Sequence, residues 1–304
     1  MKNLKSVIFV LLAGCMWGCM GLLVRPLNIC GLESMNIVAL RAWVTFGFMF
    51  LTFPLLCKIQ QRKVKNEIRI KLKDIWIFVG TGIVSVVFFN YCYFTTIVLT
   101  DLSVAAIMLY TAPVFVMLIS AVVFKEALNK KKLLALVMAF IGCGVVTGAF
   151  TGSLNMTPAG ILFGLGAGVG YALYSIFGKL ATDRGYSSLT VTIYTFLFAS
   201  LGVLPFVDAG EIVSIFVSQP GMILYCILMI IWVTCLPYIL YTAGLAGMEP
   251  GMASVVACIE PVAATLVGVI AYGEKPGIYT IAGVILVLAA IALINIRIAP
   301  KNVG

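Results

Sequence analysis

The sequence contains no histidine, and only 10% of its 304 residues are charged. Histidine is the commonest metal ligand and the usual general base near neutral pH. Its absence argues against a metal centre and against catalysis built on imidazole. The nine cysteines follow no disulfide or metal framework. Most fall inside apolar stretches, Cys30 stands alone in a connection, and Cys15 and Cys19 lie one turn apart without a partner ligand. No P-loop is present, so the chain does not couple to ATP directly. No cofactor or metal is expected. The shortage of charge also excludes a soluble domain of this length, which needs roughly 25% charged residues.

What fills the sequence instead is apolar side chain, at 62% of residues with a mean hydropathy of +1.15. A spanning helix needs about 20 mostly apolar residues. Ten such stretches occur, at 6–25, 34–57, 75–98, 102–124, 132–150, 157–179, 188–207, 220–244, 250–272 and 276–296. Their connections are short. The reading is an all-α integral membrane protein with ten transmembrane helices. Its net charge of +9 does not indicate nucleic acid, because 17 of the 20 cations fall on one side if both termini are cytoplasmic. They include Lys2, Lys5, the cations from Lys58 to Lys73, Lys125, Lys130–Lys132, Lys179 and Arg184. Arg25, Arg41 and Lys275 are the exceptions. That asymmetry follows the positive-inside rule and predicts a multi-pass plasma-membrane protein with cytoplasmic ends. The Lys58–Lys73 run then anchors topology beside anionic headgroups.

Two motifs are set aside. Leu12-Ala13-Gly14-Cys15 resembles a lipidation box, but the apolar run continues to Val24 and is long enough to span. The glycines from Gly164 to Gly170 fail nucleotide-loop spacing. Gly160, Gly164 and Gly168, like Gly14/Gly18 and Gly144/Gly148, instead follow the small-xxx-small pattern of close helix packing in lipid.

The halves of the chain resemble each other. Ala106–Val114 (AIMLYTAPV) aligns with Ser254–Val262 (SVVACIEPV) at an offset of 148. The same shift aligns Glu126 with Glu274 and Tyr93 with Tyr241. An offset of 154 aligns Trp17 with Tyr171 and Arg25 with Lys179, and one near 151 aligns Pro54 with Pro205. The repeats are 1–150 and 151–304, each with five helices. Five is odd, so the second copy enters the membrane from the other side. Such an inverted repeat supports alternating access to a midplane site.

Pro113-Val114, Glu260-Pro261-Val262 and the helix-ending Glu126 and Glu274 resemble the ten-helix EamA-type branch of the drug/metabolite transporter superfamily. The resemblance covers nearly the whole chain. It implies a central cavity between the repeats and movement of amino acids, related metabolites or drugs, often outward.

Polar groups near helix midpoints are the candidate site, because hydrocarbon leaves them unsatisfied at several kcal/mol. Glu260 lies about ten residues into the ninth span; an ionised acid there costs roughly 2.5–3.5 kcal/mol. It reads either as a proton-coupling or amine-binding carboxylate, or as an acid bonded to backbone beside the Pro261 break. Asn90 and Tyr93 share a face in the third span, and Tyr238 and Tyr241 are their repeat equivalents, expected to face them across the pseudo-axis. Trp17, Tyr171 and Tyr174 form a further aromatic set, and Tyr110 lies in the fourth span's proline segment. Together these residues predict an aromatic-walled cavity with a few hydroxyl donors. Core packing is the competing role for each. Arg41, about seven residues into the second span, either snorkels to headgroups or binds a substrate carboxylate. Arg25 and Lys179 read as anchors, and Asp101 as a helix cap.

The expected function is a secondary transporter, an exporter by resemblance, of small metabolites such as amino acids. Proton coupling is one energy source and the substrate gradient another. A lipid or drug translocator of the same fold is the alternative. An intramembrane enzyme needs clustered catalytic groups, a sensor or assembly subunit needs an added soluble domain, and a channel needs a continuous polar helix face. The sequence offers none of these. The partners expected are a small-molecule metabolite and membrane lipid, with no nucleic acid, in a monomer or homodimer.

Overall fold

The computed structural model describes residues 2–59, 63–64, 68–100, 102–148 and 157–296. These residues form helices and turns with no strand. The helices are α1 (Leu4–Ile29), α2 (Ser34–Ile59), α3 (Leu72–Leu99), α4 (Val104–Val123), α5 (Lys130–Val146), α6 (Pro158–Asp183), α7 (Ser188–Gly202), α8 (Ala209–Ser218), α9 (Gly221–Leu245), α10 (Pro250–Tyr272) and α11 (Ile278–Asn295). Eight are long and apolar enough to cross a membrane. The shorter α5 and α7 are compatible with completing a ten-helix bundle. Asp101, expected as a cap, lies outside the described residues.

The helix starts carry their own stop signals for free backbone N–H groups. Asn129 accepts from the Lys132 N–H at 2.9 Å, Thr157 from Gly160 at 3.0 Å, and Ser187 from Thr190 at 3.2 Å. The expected seventh span, 188–207, ends early. Pro205 falls in a short 3-10 turn, Leu204–Phe206, after which the chain starts α8. Asp208 caps α8 by accepting from the Glu211 N–H at 3.1 Å. Glu211 in turn accepts from Asn36 Nδ2 at 2.8 Å and the Glu33 N–H at 2.7 Å. Ile212 and Ile215 bury themselves against Leu23, Leu27 and Leu32. The α8 helix therefore lies over the ends of α1 and α2. Its ten residues are too few to register as a span, so it was invisible to a search for spans.

The repeat is visible in the backbone. α4 breaks at Tyr110-Thr111 and α10 breaks at Cys258, positions related by the 148-residue offset. Each break precedes a proline, Pro113 or Pro261, which cannot bond the carbonyl four residues earlier. α3 contains a π-helical segment, Gly80–Val87, and α9 contains another, Ile231–Cys235. The same offset lays the second on the end of the first. Helix pairing also survives exchange of the halves. α1 packs on α9 and α10 as α6 packs on α3 and α4, while α2–α7, α4–α10 and α5–α11 pair each helix with its own counterpart. The copies are inverted. Along α10, Gly251 approaches Glu126 at one end, and Glu274, just past the other end, pairs with Arg25.

One break is not repeated. α1 is interrupted at Cys19, whereas α6 runs unbroken. Pro26 also frees the Leu22 carbonyl, and the Tyr225 hydroxyl of α9 donates to it. In lipid such freed groups need partners inside the protein.

Close packing follows the small residues. A Cβ on Gly14 would fall 2.4 Å from Ile259, and one on its repeat equivalent Gly168 would fall 2.4 Å from Thr111. On α5, close contact with α11 is made at Gly142. A Cβ on Gly283 would lie 2.8 Å from the Gly142 carbonyl oxygen. Beyond that seam, Leu133, Leu134, Val137, Ile281, Ile285 and Leu288 are exposed, as lipid-facing side chains should be. Gly283→Ala should therefore destabilise the protein by about 1–3 kcal/mol. Gly277→Ala, with nothing within 4 Å, should leave stability unchanged. Thermal unfolding in detergent measures both.

Candidate functional site

A cavity of about 1070 Å³ enters between α1, α2 and α3 and reaches α10. Its mouth lies at the end carrying Arg25, Asn28 and Glu33, which is opposite to the lysine-rich end. Its deep wall holds Trp17, Arg41, Asn90, Tyr93, Tyr171, Tyr238 and Glu260. Seven of the ten residues picked out in the sequence thus meet in one space. Tyr110 lies just behind it, in a recess shared with Tyr171 and Glu260.

Tyr174 and Tyr241 are elsewhere. Tyr241 is only 2% exposed, and its hydroxyl pairs with Ser175 Oγ at 2.7 Å. The Tyr174 hydroxyl pairs with Thr242 Oγ1 at 2.7 Å. Tyr93 and Tyr241 therefore do not face each other across open space: Tyr93 lines the cavity and Tyr241 closes the far side. Equivalent positions differ because the two halves hold different conformations.

The aromatic wall is a connected set. Ring centroids of Trp17 lie 5.5 Å from Tyr238, 5.3 Å from Tyr241 and 6.4 Å from Tyr171. Tyr174 and Tyr238 meet edge-on at 4.8 Å. Such geometries fix ring orientation beyond simple burial. Phe89, not picked out in the sequence, joins the wall, 5.9 Å from Tyr93 and 5.4 Å from Tyr171. Its i, i+4 relation to Tyr93 was the available signal.

Two ionisable side chains of opposite sign line the deep cavity. Arg41 is turned inward, not toward headgroups: its Nε donates to Thr234 Oγ1 of α9 at 3.0 Å. Glu260 shares the deep cavity lining with Arg41 and Tyr171. Asn90 Nδ2 donates to the Val86 carbonyl at 2.7 Å. Arg25, read as an anchor, stands on the cavity rim. It pairs with Glu274 at 3.1 Å and lies 4.3 Å over the Tyr272 ring.

The lysine-rich end is shut. Ser175–Tyr241, Tyr174–Thr242 and Lys179 Nζ to the Leu245 carbonyl at 3.2 Å join α6 to α9. Below them, Lys132 bridges Glu249 at 2.6 Å and approaches Glu126 at 3.7 Å. Glu126 lies past the end of α4 with its carboxyl oxygens buried. Burial first, and then the Glu249 charge, raise its pKa above the ordinary 4.5 against the opposing pull of Lys132.

Folding therefore favours the protonated Glu126. The stability it contributes is complete below pH 4.5 and is lost as pH rises through the raised value. Glu126→Gln should flatten that part of the stability–pH profile, read by thermal unfolding across the acid range. In a second test, a membrane-impermeant thiol reagent added at the cavity mouth should modify Met20→Cys and Ile97→Cys. It should spare Tyr241→Cys.

Among the described residues, a bundle of helices whose two inverted halves repeat the same pairings beside a cavity open at one end has the architecture of an inverted-repeat membrane protein. The chain belongs to the EamA-like transporter family, whose model matches residues 4–148 and 158–296; it is a multi-pass membrane transporter. It is 25% identical to the uncharacterized transporter YxxF of Bacillus subtilis over 96% of this chain and 90% of that one. It is also 25% identical to YwfM of the same organism, over 99% and 97% of the two chains. An uncharacterized transporter of Archaeoglobus fulgidus is 29% identical over 66% of this chain and 70% of its own. A solved crystal structure at 17% identity matches with a TM-score of 0.77 over 96% of this chain and 97% of that one. That likeness concerns the fold alone.

Proposed function

We propose that the protein is a secondary active exporter of small metabolites, amino acids or related compounds, working by alternating access with a proton exchanged at Glu260. On this reading it lies in the plasma membrane with both termini cytoplasmic, and the cavity described above faces outward. The two halves, 1–150 and 151–304, act as the exchanging repeats.

The observation that carries the reading is the relation between the open and shut sides. The bonds that close α6 on α9 use Tyr174, Ser175 and Lys179 against Tyr241, Thr242 and Leu245. Shifted by the repeat offsets, these become Met20, Gly21 and Arg25 on α1, and Tyr93, Phe94 and Ile97 on α3. All six line the open cavity. The mouth is therefore the parted counterpart of the seal. Exchanging the two arrangements closes α1 on α3 and opens α6 from α9, which moves access from one end to the other.

The cavity chemistry suits a small zwitterion. Arg41 offers a guanidinium to a carboxylate, Glu260 offers a carboxylate to an amine, and the rings offer apolar and cation–π surface. A space of about 1070 Å³ is ample for a metabolite. We read the protein as a non-enzyme, in keeping with the transporter family it belongs to and with relatives named transporters.

Purified protein in liposomes tests this with amino acids and aromatic metabolites, with and without a pH gradient. Glu260→Gln should abolish the effect of the gradient while leaving exchange of labelled for unlabelled substrate. An unchanged gradient response removes the coupling role. Arg41→Gln should raise the half-saturation concentration about tenfold or more. In a cysteine-free background, Gly21→Cys and Tyr93→Cys should cross-link only in a conformer that shuts the cavity. Locking that conformer should stop transport; continued transport through locked protein contradicts the mechanism.

A further inference from the structure

At the lysine-rich end a second cleft, about 450 Å³, is lined by Lys71, Lys73, Asp74, Trp76 and Arg184. It lies where α3 enters the membrane and plays no part in the cavity above. Its framework is fixed by a buried acid. Asp74 accepts from the Tyr186 hydroxyl at 2.7 Å and pairs with the Arg184 guanidinium. The same hydroxyl receives the Lys71 backbone N–H at 3.0 Å. Arg184 is also held 5.4 Å over the Trp76 ring. The guanidinium is thus placed at the cleft by two contacts. Of the three cations lining the cleft, Arg184 is balanced by Asp74, while Lys71 and Lys73 make no ion pair with any described residue. The cleft carries an excess of two positive charges.

The fold does not require those charges. The repeat offsets place Gln219, Gly221 and Met222 at the positions of Lys71, Lys73 and Asp74, and Cys30 at that of Arg184. There the joint is made by a neutral contact, Cys30 Sγ to Gln219 Oε1 at 3.2 Å. The same junction therefore forms in the other half without any ion.

We propose that this cleft is a binding site for the phosphate headgroup of an anionic phospholipid in the leaflet at the lysine-rich face. Lys71 and Lys73 would meet the phosphate, and Arg184 would fix its orientation. A lipid fits better than a soluble anion because apolar surface continues from the cleft. Leu72 is 86% exposed and Trp76 49% exposed. Both belong to the membrane end of a spanning helix, where acyl chains cover them and an indole prefers the interface.

The test uses the full chain purified in neutral detergent. Native mass spectrometry and thermal unfolding are followed with phosphatidylglycerol, phosphatidylcholine or inorganic phosphate. The wild type should retain phosphatidylglycerol in preference to phosphatidylcholine and gain stability from it. Lys71→Gln with Lys73→Gln should lose about fivefold in that preference per lysine, and Lys71→Arg with Lys73→Arg should keep it. In the wild type alone, raising salt from about 0.1 to about 0.5 M should erase the preference, so the claim stands or falls even if a variant fails to fold. An undiminished preference in the glutamine variant, or equal retention of phosphatidylcholine, overturns the site. Equal protection by inorganic phosphate overturns its assignment to lipid.

Discussion

In hydrocarbon no water is available to a backbone N–H or carbonyl, so every interruption of a helix must be answered from within the protein. The structure is organised around where such interruptions are allowed. The breaks at Tyr110-Thr111 and Cys258 fall where α4 and α10 meet their partners, and both border the recess behind the cavity. The carbonyl released by Pro26 is met by Tyr225. The π-helical segments of α3 and α9 lie in the two helices that part from, or close on, α1 and α6. Irregular backbone is thus concentrated around the cavity and its seal. The peripheral pair α5 and α11 is regular and joined through glycines.

Two copies of one arrangement are held in different states. One side shows α6 and α9 joined by hydroxyl and amine contacts, and the other shows the equivalent residues lining open space. The difference is written in chemistry as well as position. Ser175 and Tyr241 can bond to each other, whereas their counterparts Gly21 and Tyr93 cannot do so through side chains. The end pairs differ too. Glu274 is held by Arg25 at 3.1 Å in an exposed pair, where side-chain entropy and water leave little net gain. Glu126 is buried and approached by Lys132, which also bridges Glu249. The two ends are therefore tied differently, one by an exposed ion pair and the other by hydroxyl contacts beside a buried acid.

Much of this was legible in the sequence because membrane helices announce themselves by length and apolarity, and repeats by recurring prolines and acids. Trp17, Arg41, Asn90, Tyr93, Tyr171, Tyr238 and Glu260 were found by asking which polar or aromatic groups lay at helix midpoints. Tyr174 and Tyr241 were found by the same rule and lie outside the cavity. Sequence symmetry fixes which residues correspond but not which half is open. Helix α8 was missed because ten residues make no span. Phe89 was missed because a phenylalanine beside Phe88 in an apolar helix carries no polar signal, and only its i, i+4 relation to Tyr93 marks it. The inward turn of Arg41 depends on Thr234, 193 residues away, and no local pattern reports it.

Distances between spin labels at the two ends test the central claim most directly. One pair at Asn28 and Val98 spans the open mouth, and another at Asp183 and Ala246 spans the seal. As protons or substrate shift the conformation, the first distance should shorten while the second lengthens, in the same molecules and to the same extent of conversion. If both ends open or close together, or if one moves while the other stays fixed, exchange of the two halves is not how this protein works.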